Sequence, residues 1–439
     1  MRSKTKRVGS IFALGVAATI ALAACSSGND NQSGNESGGQ SAGGSADGVV
    51  TLSYWGWIPG LEDAVEEWNS THPNIQVDFF RMTGDDGDKI PTAIDSGEAP
   101  DIVQFEGPDV ALQVINNRLT DISQYTSAMT DSFPESAWSN VTFGESVYGI
   151  PQDSGPSALM YRSDIFDAAG VKVPTTWEEY IQAARDLKKH DPKVYIAQFS
   201  PNEAGFWSEA IISNGGTWFS IEDDSWKVSV NDKASKEIAE VWQTLLDEDL
   251  IKVVEMWTPE YWASVNDGSI ASVNYAAWFP VMLEESAPDL SGKWSVAPSP
   301  TFGKKAAGWS GGSVGTIPVT SKHVEEAVEF LTWLSTSEEG VAHLIKNTFP
   351  SAYIGLESPS LLSPSEYFGG QVINEVFSQA AEDIPVGWTP GPTNTLVKEV
   401  LKDQLANVAN GDLTFTEALD AVQAQAVKDV ENLGLNVIE

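Results

Sequence analysis

The chain has 439 residues and carries 62 acidic against 25 basic side chains, a formal net charge of −37 at pH 7. A surface this acidic repels the phosphates of nucleic acids and of anionic lipids, so neither is expected as a direct partner. The length exceeds what one hydrophobic core usually spans, which favours two domains.

The first 24 residues have the three-part pattern of a secretory signal. Basic residues within 2–7 precede an apolar run at 11–20, and small residues then lead to Cys25. The run is too short for a permanent spanning helix. Cys25 is the only cysteine, which excludes a disulfide scaffold. The pattern resembles the lipobox of bacterial lipoproteins and predicts a signal peptide at 1–24 with acylation of Cys25. An ordinary signal with an incidental cysteine is the alternative.

Residues 25–48 are predicted to form a flexible tether. After Cys25 the segment consists almost wholly of Ser, Gly, Asn, Asp, Gln and Ala, and such a composition cannot bury enough apolar surface to fold. The lipid would be the only contact with the membrane, holding the protein at the cell surface on the outer face of the cytoplasmic membrane.

From residue 49 onwards, segments typical of strands alternate with segments typical of helices. Runs rich in β-branched and aromatic residues at 49–55, 75–80 and 102–105 enclose a helical pattern at 61–68. Further along, Thr176 with Glu179 and Thr414 with Glu417 have the spacing of capping boxes, which begin helices. Strands that alternate with helices predict the α/β class, with a parallel sheet covered on its faces.

Several short motifs then occur in a characteristic order. They include Pro-Asp-Ile-Val at 100–103, Val-Tyr-Gly-Ile-Pro at 147–151, Leu-Met-Tyr-Arg at 159–162, Val-Pro-Thr-Thr-Trp-Glu-Glu at 173–179 and Gly-Gly-Ser at 311–313. With this order the chain resembles the extracellular solute-binding proteins of the maltose-binding branch (family 1), the sugar-capturing subunits of ABC importers. The likeness covers essentially the whole of the expected mature chain.

The resemblance implies a two-lobed periplasmic-binding-protein-like fold whose chain crosses between the lobes about three times, near 149–157, 300–305 and 351–360. The N-lobe would comprise 49–150 and 305–352, and the C-lobe 151–304 and 353–439. Ligand would sit in the cleft between lobes, which would close around it by a hinge motion. The implied partners are a carbohydrate, expected to be an oligosaccharide, and the permease subunits of an ABC importer, with the protein itself a monomer.

The 16 tryptophans favour carbohydrate independently of the resemblance, because many lie in loops beside Gly and Pro. An aromatic plane packs against the apolar face of a sugar ring. Trp57 follows the first strand, and Trp207, or its neighbour Phe206, precedes a helix; the alternative for each is a core residue. The Gly-rich loop with Trp309 and Gly311 would let backbone amides approach a ligand. Trp278 and Trp388 match positions where the family presents an aromatic ring to sugar.

Two carboxylates are predicted to accept hydrogen bonds from sugar hydroxyls. Glu106 follows the strand at 102–105, and Asp153 lies at the first crossing, which passes the floor of the cleft. The alternative for Glu106 is a charge that serves the N-terminus of the next helix.

Three other functions compete with sugar capture. Carboxylates and tryptophans in a cleft also suit a glycoside hydrolase, which needs two carboxyls across one bond. The same residues would suit a polyamine, whose cations rest on ring faces. A surface adhesin would hold glycan without import. None of the four histidines has the spacing of a ligand pair, which argues against a metal site. The resemblance assigns the cleft to binding, and no carboxylate pair stands out in the local sequence. The prediction is therefore a binding protein with no catalytic residue, metal or cofactor.

Overall fold

The structure is a computed structural model that describes residues 48–83, 87, 89–385 and 391–438. The predicted signal, Cys25, nearly all of the predicted tether, and Trp388 lie outside the described residues. Within those residues, no helix combines the length and the apolar character needed to cross a membrane. All of the described residues belong to one compact unit.

Strands and helices alternate through the first half of the chain, and helices dominate the end. The strands are β1 (Val50–Gly56), β2 (Ile75–Arg81), β3 (Ile102–Glu106), β4 (Thr142–Phe143), β5 (Ser146–Val147), β6 (Ile150–Pro151), β7 (Ser157–Arg162), β8 (Ala197–Phe199), β9 (Phe219–Glu222), β10 (Ser225–Val228), β11 (Ile251–Val253), β12 (Ser272–Ala276), β13 (Trp294–Pro298), β14 (Ser313–Thr316) and β15 (Val437–Ile438). The helices are α1 (Leu61–Thr71), α2 (Ile90–Ser96), α3 (Val110–Ile115), α4 (Ser123–Thr126), α5 (Glu135–Trp138), α6 (Ser163–Ala169), α7 (Trp177–His190), α8 (Ala204–Ser213), α9 (Lys233–Asp247), α10 (Pro259–Asn266), α11 (Phe279–Ser286), α12 (Val324–Thr336), α13 (Glu338–Asn347), α14 (Tyr353–Leu356), α15 (Ile373–Glu382), α16 (Asn394–Ala409) and α17 (Phe415–Asn432).

The helix starts at the two predicted capping boxes are confirmed. At α17, the Thr414 side chain accepts from the Glu417 N–H, and the Glu417 carboxylate accepts from the Thr414 N–H, so two donors left open by the first turn are satisfied. At α7, Thr176 accepts from the Glu179 N–H in the same way, but the Glu179 carboxylate reaches one residue further back, to Thr175.

The first lobe is built on a five-stranded sheet with the order β2-β1-β3-β14-β6. β1 runs parallel to β2 and β3, as the alternation predicted. β14 is antiparallel to β3 and β6, so the prediction of a parallel sheet is wrong for this side. The register explains the reversal, since Ser313 at the start of β14 lies opposite Glu106 at the end of β3. A chain that returns from the second lobe enters the sheet where β3 leaves it, and therefore runs the other way.

The three-stranded sheet of the second lobe is antiparallel, so the prediction of a parallel sheet is wrong for this sheet also. β7 starts at the interlobe edge, while β12 and β13 run towards that edge and pair with β7 antiparallel. Only β8 with β11 and β10 with β15 form parallel pairs among the described strands of this lobe.

Each lobe has its own hydrophobic core. The first core packs α1 and α12 against the five-stranded sheet, with Trp68 and Phe330 fully buried between them. The second core is larger and richer in tryptophan, with Trp207, Trp242 and Trp294 each 1% exposed or less. Two separate apolar clusters stabilise the two lobes as separate bodies, which is what a hinge between them requires.

Three segments, 152–156, 309–313 and 349–351, join the lobes and bond to one another as a ribbon. The first, 152–156, lies in the middle. Its Gln152 N–H donates to Ser313 and its Gly155 carbonyl accepts from Ser310, both on the second segment. On the other side, its Ser154 N–H donates to the carbonyl of Phe349 on the third. A side chain at Gly155 would meet the Ser310 carbonyl at 1.7 Å, so only glycine permits this approach.

The second connection lies later in the chain than the predicted 300–305. Lys305 and Ala307 still bond Asp383 on the second lobe, and Gly308 accepts from Ser157 there. A backbone hydrogen bond to the other lobe follows at Gly312, whose carbonyl accepts from the Gly107 N–H. The lobe boundary at 305 stays a prediction, and the hydrogen bonds of 305–308 are to the second lobe.

Candidate functional site

A cavity of about 490 Å³ lies where the ends of β1 and β3 and the connecting ribbon face helices of the second lobe. This volume is within the range of roughly 300–1,000 Å³ that small-molecule sites occupy. The wall combines aromatic rings, carboxylates and two lysines, and its lining residues are Trp57, Ile58, Pro59, Glu106, Asp153, Asn202, Glu203, Ala204, Gly205, Trp257, Tyr275, Trp278, Val281, Met282, Glu285, Ser310, Gly311, Gly312, Ser313, Asn347, Thr348, Lys398 and Lys402.

Trp278 and Trp257 form an aromatic platform on the second-lobe side. Trp278 stands at the start of α11, and its ring lies nearly parallel to that of Trp257, with centroids 6.0 Å apart and planes at 29°. The indole N–H of Trp278 points towards the Ser310 carbonyl at 3.3 Å. Tyr275 packs edge-on against Trp278 at 5.0 Å. Apolar ring faces held by neighbouring rings and hydrogen bonds give a rigid surface for an apolar ligand face.

Trp257 was not predicted from the sequence. Its backbone has φ +69°, a left-handed conformation that costs energy for a bulky residue, and its indole N–H donates to Glu203 Oε2 at 3.0 Å. Glu203 also accepts from the Gly205 N–H at the start of α8. Strain of this kind concentrates at functional sites. The one local signal is a tryptophan directly before Thr258, whose side chain caps α10.

Trp57 lies on the first-lobe wall and is fixed at both ends. Its N–H donates to Gln104 Oε1 at 2.6 Å, and its indole N–H donates to Ser313 Oγ at 3.0 Å. Gln104 is fully buried and in turn donates to Gln152 at the start of the first connection. The loop after β1 is thus tied to the interlobe ribbon through a buried polar chain.

Glu106 lines the cavity and forms an ion pair across the lobes. Lys398 of α16 bonds Glu106 Oε2 at 2.9 Å. The lysine charge holds the pKa of Glu106 below its usual value, against the opposing effect of burial. A carboxylate kept ionised in this way is a strong acceptor for hydroxyl donors.

Asp153 also reaches the cavity, but protein donors occupy its carboxylate. The Ser313 N–H donates to Oδ1 and the Thr348 hydroxyl donates to Oδ2. One side chain of the first connection therefore bonds the second connection and the residue before the third. Burial raises the pKa of Asp153 above its usual value, although both hydrogen bonds act in the opposite direction.

The remaining predicted residues divide into those beside the cavity and those away from it. Gly311 lines it with φ +77°, and a side chain there would lie 3.2 Å from the Trp278 indole nitrogen. Trp309 is buried at the ribbon, bridged to Pro156, and is not among the described residues that form the wall. Trp388 lies outside the described residues.

Trp207 was predicted as a ligand platform, but the structure places it in the core of the second lobe and not on the cavity wall. It is 1% exposed and stacks on Phe415, with centroids 4.7 Å apart. Phe206 is 7% exposed and packs edge-on against Trp242. Both face inward because α8 is buried along nearly its whole length, with only its first turn reaching the cavity. Trp207→Ala would lose core packing worth about 3–5 kcal/mol.

Behind the platform, Glu209 is fully buried in α8. Burial raises the pKa of its carboxyl well above the usual value, with a smaller contribution from the charge of Glu203. A carboxyl group in such a setting keeps its proton to a higher pH in the folded protein than in the unfolded one.

We expect Glu209→Gln to stabilise the protein at neutral pH. The folded state binds the Glu209 proton more tightly than the unfolded state, so stability falls as the pH rises through the window between the two pKa values. Each unit between them costs about 1.4 kcal/mol above that window. Glutamine stays neutral and has no such cost. The measurement is the melting temperature from pH 4 to pH 8.

The gain should vanish towards pH 4, where Glu209 is protonated in both states. The exposed Glu240→Gln on α9 is the control and should shift melting little at any pH. An equal effect of Glu209→Gln at both ends of the pH range would contradict a buried neutral carboxyl.

Among the described residues, no group of three or more His, Cys, Asp or Glu side chains is arranged to hold a metal ion. The main features of the site are the Trp257–Trp278 platform, the Glu106–Lys398 ion pair and the hydrogen-bonded ribbon.

Comparisons with known proteins agree with this architecture. The chain is similar to the galacto-N-biose-/lacto-N-biose I-binding protein of an ABC transporter from Bifidobacterium longum, solved with lacto-N-biose, at 30% identity, over 90% of this chain and 100% of that one, with TM-score 0.82. It is also similar to an ABC-transporter-associated binding protein from B. animalis subsp. lactis Bl-04 in complex with β-1,6-galactobiose, at 29% identity, over 89% and 100% of the two chains, with TM-score 0.80. An arabinooligosaccharide-binding protein of Halalkalibacterium halodurans is 26% identical over 409 residues, 86% of this chain and 89% of its own.

The family described as bacterial extracellular solute-binding protein matches residues 55–341, well over half of the chain. The match spans the platform residues Trp257 and Trp278, Glu106, and the first two connections between the lobes. The two similar structures are two-lobed proteins, and each is matched over its full length. This chain belongs to the family of bacterial extracellular solute-binding proteins.

Proposed function

We propose that the protein captures a galactose-containing di- or oligosaccharide between its lobes and delivers it to the permease of an ABC importer. The observation that carries the proposal is the Trp257–Trp278 platform, which lies on the same cavity as the ionised Glu106. A sugar ring presents C–H groups on one face and hydroxyls on its rim, so it needs this pairing of an apolar plane with a polar acceptor.

The ligand class rests on the relatives and on the cavity together. The two similar structures at 29% and 30% identity hold β-1,6-galactobiose and lacto-N-biose, both of which contain galactose. The more distant arabinooligosaccharide-binding relative supplies the runner-up. A cavity of about 490 Å³ is of a size for a small ligand.

Four carboxylates and two lysines line the cavity, so a polyamine is disfavoured at particular positions and not by the overall charge of the wall. Lys398 and Lys402 both line it, and their charges repel a polycation. Glu106 is engaged by Lys398, and the carboxylate of Asp153 is engaged by Ser313 and Thr348. The acids that suggested a cation site therefore already have partners in the protein.

A non-enzymatic role is part of the proposal. A glycosidase needs one carboxyl that stays protonated to donate to the leaving group. Of the two predicted acids, Glu106 is held ionised by Lys398, and both carboxylate oxygens of Asp153 are engaged by Ser313 and Thr348, so neither side chain has a proton placed for a leaving group. Binding energy would instead drive closure of the lobes, because the ligand contacts both walls only in the closed state.

The location of the protein in the cell is part of the same proposal. Cleavage after residue 24, acylation of Cys25 and a tether at 25–48 would keep the captured sugar beside its importer on the outer face of the membrane. The name of the family, extracellular solute-binding protein, agrees with export. A glycan adhesin would also be exported and anchored in this way, and finding permease genes next to the gene for this protein would argue against an adhesin.

Calorimetric titration of the full chain tests the function. We expect β-1,6-galactobiose or lacto-N-biose to bind with a dissociation constant in the micromolar range or tighter, and spermidine to give no saturable heat. Tighter binding of an arabino-oligosaccharide would move the ligand to the runner-up class. Saturable binding of spermidine alone, or turnover of the disaccharide at catalytic rates, would overturn the proposal.

A further inference from the structure

Helix α16 of the second lobe reaches the first lobe at two polar contacts. Lys398 Nζ lies 2.9 Å from Glu106 Oε2, and one turn earlier the Thr395 hydroxyl donates to Asp109 Oδ1 at 2.7 Å. Both acids belong to the end of β3 and the short turn that comes after it. The partners are 292 and 286 residues apart in sequence, so the two contacts exist only while the lobes face each other.

The Lys398 contact is partly withdrawn from solvent. The lysine side chain is 21% exposed and that of Glu106 is 44% exposed. Charge-assisted hydrogen bonds of this kind are roughly twice as strong as neutral ones. Asp109 and Glu203 add further negative charge around the same ammonium group, so Lys398 is the cation on which acids of both lobes converge. Removing it would leave these carboxylates to repel one another.

The bond also orients Glu106. Lys398 occupies Oε2, and the other carboxylate oxygen is left to a ligand in the cavity that both residues line. Orientation by a residue of the opposite lobe makes the acceptor fully placed only in the closed arrangement.

We infer that Lys398 is the positioning residue that ties the second lobe to Glu106 across the cleft, so that closure of the lobes and alignment of the ligand-accepting carboxylate are one event. The identity of the ligand rests on the proposed function, whereas the claim that Lys398 holds the two lobes together without ligand does not. Lys398 would hold part of the ligand-free population closed and would add to affinity through Glu106.

The test compares three variants of the full chain. Lys398→Met removes the charge and keeps the length of the side chain, and Lys398→Arg restores a cation. Lys236→Met is the matched control, because Lys236 forms its ion pair with Asp420 inside the second lobe, at 3.2 Å between α9 and α17. Each is examined by small-angle X-ray scattering without ligand and by calorimetry with β-1,6-galactobiose.

Lys398→Met should increase the ligand-free radius of gyration and weaken binding at least tenfold. Lys398→Arg should return both values most of the way to those of the parent, and Lys236→Met should match the parent. The double variant Glu106→Gln/Lys398→Met should be no more open than Lys398→Met alone, because both changes remove the same bond.

Scattering of Lys398→Met that is indistinguishable from the parent, or an equal opening in Lys236→Met, would overturn the inference. These outcomes are separate from failure of the proposed function. If the parent binds no galactose-containing sugar, the ligand-free scattering still decides whether Lys398 ties the lobes.

Discussion

Replacing Trp278 by alanine should weaken binding of β-1,6-galactobiose by tenfold to a hundredfold, about 1.4–2.7 kcal/mol. The ring lies in the wall of the cavity, parallel to Trp257 and braced by Tyr275. Alanine removes the plane on which a sugar face would rest, and it also removes the neighbour that holds Trp257. Trp278→Phe keeps a smaller ring and should lose less affinity. Calorimetry measures the change.

The fold should survive this substitution, since Trp278 is only partly buried and packs at the edge of the second core. Trp226→Ala is the control: this tryptophan is also partly buried in the second lobe, but it lies on β10 and packs against Phe219, away from the cavity wall. Trp226→Ala should leave affinity unchanged. Unchanged affinity in Trp278→Ala, with the melting temperature preserved, would remove Trp278 from the ligand contacts.

Local patterns in the sequence were enough to predict the elements that local chemistry determines. The capping residues Thr176 and Thr414 begin α7 and α17 because each cap needs only a residue three positions away. The direction of β14 depends instead on the path of the chain through the other lobe. β14 begins at Ser313, 162 positions after β6 ends at Pro151 (313 − 151), and the chain passes through the second lobe between them. No local pattern contains that information, and so the antiparallel side of the sheet was not predicted.

The candidate site divides in the same way. Trp57 directly follows β1 and Glu106 is the last residue of β3, so both lie where a strand ends at the cavity, and strand ends can be read from the sequence. Trp207 lies in the second core, because α8 turns it away from the cavity: Glu203 and Gly205 line the cavity, while the side chain two positions later packs in the core. A helix buried on all sides has no polar face to show which way its first turn points.

Trp257 and Lys398 show what only the assembled lobes reveal. The positive φ of Trp257 is sustained by its contacts with Glu203 and Trp278, which lie 54 positions before it and 21 after it (257 − 203; 278 − 257). Lys398 lies in a helix whose sequence gives no sign of the carboxylate it bonds, 292 positions earlier. Both residues act through partners that tertiary structure supplies.

Asp153 depends in the same way on partners that are distant in sequence, Ser313 and Thr348. We expect Asp153→Ala to lower the free energy of unfolding by about 1–3 kcal/mol, because it leaves the Ser313 N–H and the Thr348 hydroxyl without their acceptor in a partly buried place. Asp153→Asn keeps an oxygen for the Ser313 N–H and should lose much less. Denaturant unfolding monitored by tryptophan fluorescence measures both.

The comparison between the two variants separates hydrogen bonding from charge. Burial already works against the charged form of Asp153, so a neutral amide of the same shape should serve the ribbon nearly as well as the carboxylate does. Asp186→Ala, at an exposed position on α7, is the control for the loss of an acidic side chain and should change stability by less than about 0.5 kcal/mol. If Asp153→Asn were as damaging as Asp153→Ala, charge rather than geometry would hold the three connections together, and the hinge would be electrostatic. We expect the amide to suffice, because the acceptor atoms, and not the charge, bring the first connection into register with its two neighbours.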